Sequence, residues 1–263
     1  MKTTRHITFF LLFIFFSLKV SAHDTWLLAG KSRAEAGEKI ELSLTSGMDF
    51  PKSETAIKPE RIAVAACRVA GQTLNLGSRQ LGKDALQVSL NLPNKEGLAT
   101  VWIKLKPRPI ELTPDKVEEY LQEIDAPKEI RETWQQGSKR WREVYTKHAK
   151  TFILVGKSDD SWSSPVGLGL EIVPEKDPTK LHSGDTLPVR VLKKGKPFAN
   201  FSISFVNSLG KQVDQKHTDK DGRVEFSVNQ AGRWLMRGTD LRKSSKPRVD
   251  WESDFTTLTF ETN

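Results

Sequence analysis

Cysteine is nearly absent. Cys67 is the single thiol in 263 residues, so no intramolecular disulfide can form. A lone thiol in an oxidising compartment is usually buried. The run Ile62-Ala63-Val64-Ala65-Ala66-Cys67-Arg68-Val69 reads as a core strand, so packing is preferred over a soft metal ligand. Beyond residue 22 no apolar run is long enough to span a bilayer. No cysteine stands at the predicted cut site, which excludes a lipid anchor of the lipobox type. The chain has no His-x-x-x-His or Cys-x-x-Cys unit, no Gly-rich phosphate loop, no nucleophile elbow and no Ser-His-Asp order. Nucleic-acid recognition motifs are missing too. An enzyme is therefore not the favoured reading, and neither a nucleic acid nor an organic cofactor is an expected partner.

What is present begins with a secretory pattern. Lys2 and Arg5 precede an almost unbroken Phe, Leu and Ile run from Ile7 to Leu18, and Val20-Ser21-Ala22 is a small-residue cleavage site. Residues 1–22 read as a signal peptide and the protein as periplasmic or secreted. Cutting after Ala22 leaves 241 residues that open His23-Asp24-Thr25-Trp26-Leu27. The formal charge falls from +8 to +5 with the loss of Lys2, Arg5 and Lys19, a modest basic excess suited to anionic envelope surfaces. An N-terminal histidine carries a free amine and an imidazole on one residue. Together they can chelate one nickel, cobalt, copper or zinc ion.

Alternating polar and apolar residues give strands at Lys39 to Leu44, Arg61 to Val69, Leu86 to Leu92 and Ala99 to Leu105. Turn residues separate them, which suggests an antiparallel sandwich. Thr113-Pro114-Asp115 is a helix start, and Val117, Tyr120, Leu121 and Ile124 follow at helical spacing. Trp134 and Trp141, seven apart, fall on one face of the same arm. Strand character returns at Thr151 to Val155, and a linker follows at Ser158 to Pro165. Further strands run from Leu170 to Phe260, about seven of them, the count typical of immunoglobulin-like domains. The expected fold is mainly β, with two β-sandwich (immunoglobulin-like) domains. Residues 23–165 form the first, with a helical arm at 113–148, and residues 166–263 form the second.

Several stretches together resemble a bacterial exported family of unknown function, described as similar to nickel- and cobalt-uptake components. They are Ala22-His23-Asp24-Thr25-Trp26-Leu27, Tyr145-Thr146-Lys147-His148-Ala149-Lys150-Thr151, Gly169-Leu170-Glu171-Ile172-Val173-Pro174, Gly195-Lys196-Pro197, Asp219-Lys220-Asp221-Gly222-Arg223, Gly232-Arg233-Trp234 and Asp254-Phe255-Thr256-Thr257-Leu258-Thr259-Phe260. The resemblance covers nearly the whole mature chain and implies a periplasmic, metal-binding protein without naming a reaction. The C-terminal part is also similar to transthyretin-like and carboxypeptidase-regulatory sandwiches, which mostly bind or support. Family members often carry Tyr where this chain has His148, so His148 is not guaranteed a shared role.

A metal site needs two or three converging ligands. His23 supplies up to two, His148 is the best partner and Asp24 or Glu143 adds an oxygen. His182 and His217 lie in turns and read as solvated. Asp219-Lys220-Asp221-Gly222 resembles part of a calcium loop but lacks the closing Glu, so backbone capping is preferred. Three functions follow, in this order. The first is a transition-metal binding or uptake-accessory protein working with an inner-membrane transporter or envelope protein. The second is a non-catalytic envelope adaptor for protein or glycan. The third is a copper oxidase with a histidine brace.

Overall fold

The structure, a computed structural model, describes residues 23–262. The predicted signal segment lies outside the described residues. The protein is mainly β. Its strands of four or more residues are β1 (Asp24–Ala29), β2 (Lys39–Gly47), β3 (Ile62–Val69), β4 (Gln72–Asn75), β5 (Leu86–Asn91), β6 (Gly97–Leu105), β7 (Arg108–Leu112), β8 (Trp141–Val155), β9 (Leu170–Pro174), β10 (Thr186–Lys193), β11 (Ser202–Val206), β12 (Gln212–His217), β13 (Arg223–Ser227), β14 (Gly232–Lys243) and β15 (Trp251–Thr262). Helices α1 (Pro114–Glu123) and α2 (Lys128–Gln136) lie between β7 and β8.

One ten-stranded sheet runs through the molecule, with the order β12-β11-β14-β15-β8-β6-β3-β4 along its main path. β8 and β15 pair in parallel, Glu143 opposite Trp251 and Thr151 opposite Thr259. Strands from both sides of the 165/166 boundary are thus hydrogen-bonded neighbours. A second sheet built on β1, β2 and β5 covers one end, where Leu42, Leu44 and Val88 meet Val101, Ile103 and Ile153. A third built on β9, β10 and β13 covers the other end, where Ile172, Val189 and Val191 meet Phe205, Met236 and Leu258. Phe152 belongs to the second core and Ile153 to the first, as adjacent strand residues point to opposite faces. The sequence pattern suggests two sandwiches on a linker, whereas the structure has two packed ends sharing a sheet. Alternation shows which residues face inward, but not which strand is the neighbour.

The helical arm is shorter than expected. Residues 113–136 contain its two helices, but Trp141, Val144, Tyr145 and His148 lie on β8. Apolar residues at 141, 144 and 145 satisfy a helical spacing. Pairing with β7 and β15 settles them as strand. Trp134 and Trp141 still meet, but across a helix and a strand, at 5.6 Å and 82°. Trp141 also stacks on Trp251 at 4.8 Å, and the Trp134 Nε1 donates to Glu118 at 2.6 Å. These contacts seat the arm over the end of β8 and β15.

Candidate functional site

Threonine hydroxyls on β15 fix the start of the described chain. Thr257 Oγ1 donates to the Thr25 carbonyl and Thr259 Oγ1 to the Leu27 carbonyl, each at 2.6 Å. β1 pairs with β2 along its edge, and Trp26 is fully buried against Phe50. Lys147 Nζ donates to the His23 carbonyl. His23 is thereby held on the wall of a cavity of about 640 Å³.

The cavity lies between the small sheet, the helical arm and the N-terminal halves of β8 and β15. Ile57, Leu105, Ile110 and Leu112 give it an apolar side. Tyr145 and Phe255 add aromatic faces, with the Lys147 Nζ 5.6 and 5.2 Å from their ring centroids. Arg61 lies over the same Tyr145 ring at 5.7 Å. Loss of water around the Lys147 amine lowers its pKa to about 8, against the pull of Asp24. It therefore stays mostly charged at neutral pH. Deeper in the wall, Glu143 accepts from Ser253, from Trp141 Nε1 at 2.8 Å and from the Tyr120 hydroxyl at 3.1 Å. Burial pushes the Glu143 carboxyl up despite these donors, and it pushes the Tyr120 hydroxyl well above its usual range.

Of the metal ligands read from the sequence, His23 and Glu143 line this cavity, and Asp24 and His148 do not. Asp24 is buried and paired with Arg237. His148 follows Lys147 on β8 and points to the opposite face of the sheet. There its Nε2 lies 3.2 Å from Asp254 Oδ1. Burial raises the Asp254 carboxyl, and His148 and Arg242 outweigh that and hold it below its usual range. The central sheet thus separates His148 from His23. Among the described residues no group of three or more His, Cys, Asp or Glu converges. His23, Asp24 and His148 do not fit one ion.

The remaining histidines are largely solvated. The His217 ring reaches Asp125 at 3.2 Å, and the His182 backbone N–H donates to Asp185 at 2.9 Å. Asp219 accepts from the Asp221 and Arg223 N–H groups, each at 2.8 Å, as backbone capping requires. Cys67 is fully buried on β3, and burial pushes its thiol up to about 12. Sequence reasoning did not single out Lys147, Tyr145, Arg61 or Arg108. Read as a strand, the alternation Glu143, Tyr145, Lys147 would have marked a polar stripe inside an otherwise apolar sheet.

Fold and site together define a mainly β protein with a lined, amphipathic cavity beside its first strand. The chain belongs to the family described as domain of unknown function (DUF4198), which matches residues 20–239. No curated protein matches it. Among solved structures it is similar to the D0-D1 domain of intimin, at 19% identity, 90% of this chain, 97% of that chain and a TM-score of 0.23. The adhesin InvE of Yersinia pseudotuberculosis matches at 13% identity, 89% of this chain, 58% of that chain and a TM-score of 0.26. An alpha-2-macroglobulin fragment from Escherichia coli spanning domains MG0-NIE-MG1 matches at 9% identity, 88% and 96% coverage and a TM-score of 0.23. At these TM-scores the structural likenesses carry no conclusion about this chain. Among the described residues no helix is long and apolar enough to cross a membrane.

Proposed function

We propose that the protein is an exported, non-catalytic binding protein that holds a small organic ligand in the cavity beside His23. The cavity itself supports this reading. Its volume of about 640 Å³ falls within the range of small-molecule sites, roughly 300–1,000 Å³. Its lining sets an apolar wall beside polar and charged groups that can fix a ligand's orientation. Native mass spectrometry of the protein recovered from its exported fraction tests the proposal. A bound small molecule is expected, and Ala56→Trp should expel it by filling the space. Ligand-free protein that shows no thermal shift with any member of a broad metabolite panel would count against it.

His23 lines the same cavity, which favours one further proposal. Its free amine and imidazole, exposed by cleavage after Ala22, chelate a nickel, cobalt or copper ion without His148. Metal titration of the protein with its native N-terminus is expected to show uptake. One extra residue before His23 should abolish that uptake. Equal binding by both forms would place the metal elsewhere.

A further inference from the structure

Four basic side chains line the cavity, Lys58, Arg61, Arg108 and Lys147, against two acidic ones, Glu60 and Glu143. Among the described residues, none of the four forms an ion pair with a carboxylate. Elsewhere the protein pairs several of its buried or partly buried cations closely. Arg142 meets Asp250 at 2.7 Å, Lys193 meets Asp240 at 2.7 Å and Lys150 meets Glu171 at 2.9 Å. Burial pushes the Glu143 carboxyl up from its usual range, and its oxygens are occupied by Ser253, Trp141 and Tyr120. Glu60 is exposed at the surface, as are Lys58 and Arg108, whereas Arg61 and Lys147 are half-buried. The cavity therefore holds more basic than acidic side chains beside an apolar wall, with Asp24, Glu123 and Glu143 partly offsetting Lys147. Cations in a partly dehydrated concave site focus their field inward and attract anions. Guanidinium groups add directional pairing to carboxylate or phosphate oxygens.

We infer that the cavity selects an organic acid with one anionic head and an apolar body. The inference rests on the ligand-binding reading proposed above and deepens it. The head pairs with Arg61, Arg108 and Lys147, which flank or approach the Tyr145 edge of the site. The body lies against Ile57, Leu105, Ile110 and Leu112. A cationic ligand meets repulsion from the same groups, and a neutral one leaves them unpaired. A free acid and the acid head of a lipid share this chemistry, and the apolar space fits a short body.

Isothermal titration calorimetry on the full exported chain with decanoate, decanol and decylamine tests this. Decanoate is expected to bind at least about tenfold more tightly than decanol, and decylamine weakest of the three. Arg61→Gln and Arg108→Gln should each weaken decanoate about tenfold and leave decanol unchanged, and unchanged decanol binding shows that the cavity is intact. Arg61→Lys should recover part of the loss. A long-chain lysophosphatidate that binds more tightly than decanoate would identify a lipid head as the source of the anion. Equal affinity for decanoate and decanol overturns the anion preference and leaves the cavity reading standing. Failure of all three probes overturns both.

Discussion

Lys150 and Glu171 form an ion pair at 2.9 Å, with both side chains almost completely removed from solvent. Glu171 also accepts the backbone N–H groups of Val166, Gly167 and Leu168 at 2.8, 3.0 and 3.1 Å. The pair therefore ties β8 to β9 and closes the segment that crosses from one end of the protein to the other. Burial raises the Glu171 carboxyl, and Lys150 with the amide donors holds it below its usual range. Lys150→Met strands that carboxylate in the interior. The expected destabilisation is about 3–5 kcal/mol, the range for breaking one side of a buried pair. Urea unfolding measures it, and a loss under about 1 kcal/mol would show that the three amides suffice.

Trp141 is the second candidate for a large effect. It is fully buried between Trp134, Tyr120 and Trp251. Trp141→Ala should cost about 3–5 kcal/mol through lost burial and the void left behind. It also removes a donor from Glu143. Limited proteolysis should then cut within residues 114–136 before any other site. Unchanged protection of that segment would mean that the arm is seated by other contacts.

The threonine pins make a narrower prediction. Thr257→Val keeps the shape of the side chain and removes the donor to the Thr25 carbonyl. A buried carbonyl left without its partner costs about 1–3 kcal/mol. Amide hydrogen exchange in β1 should rise, and Thr257→Ser should restore protection. Exchange confined to other strands would separate Thr257 from the placement of His23.

Asp177 gives the sign of one pH effect. Burial raises its carboxyl, but Ser158, the Thr179 hydroxyl, the Thr179 N–H and Lys180 together hold it below the usual carboxylate range. A depressed folded-state value adds stability above the unfolded pKa of about 3.9. That stability is lost as pH falls through the folded value. Asp177→Asn should therefore be less stable than the parent at pH 7, and the two should converge below about pH 4. A constant difference in melting temperature from pH 7 to pH 3 would rule out this linkage.

Much of the fold is legible in the sequence, and the reason is local. Lys39 to Leu44 and Leu86 to Leu92 alternate cleanly because only one side of each chain position meets the core. The burial of the lone Cys67 follows from an equally local signal. What escapes is long-range. Trp141, Val144 and Tyr145 fit a helical period, and only their pairing with residues 108–112 and 251–259 makes them strand. The same error placed His148 at the end of a helix, whereas it lies one residue past Lys147 on the far face of a sheet. The cavity was hidden for a related reason. Its lining comes from positions as distant as Ser46, Arg108 and Phe255, and no window of sequence contains them together.

β15 comes last among the strands, yet it sits between β14 and β8 near the middle of the ten-stranded sheet. Until residues 251–262 are in place, β8 lacks its parallel neighbour and β1 lacks the hydroxyls that anchor it. The cavity, which Phe255 of β15 helps to line, comes into being only with that final strand.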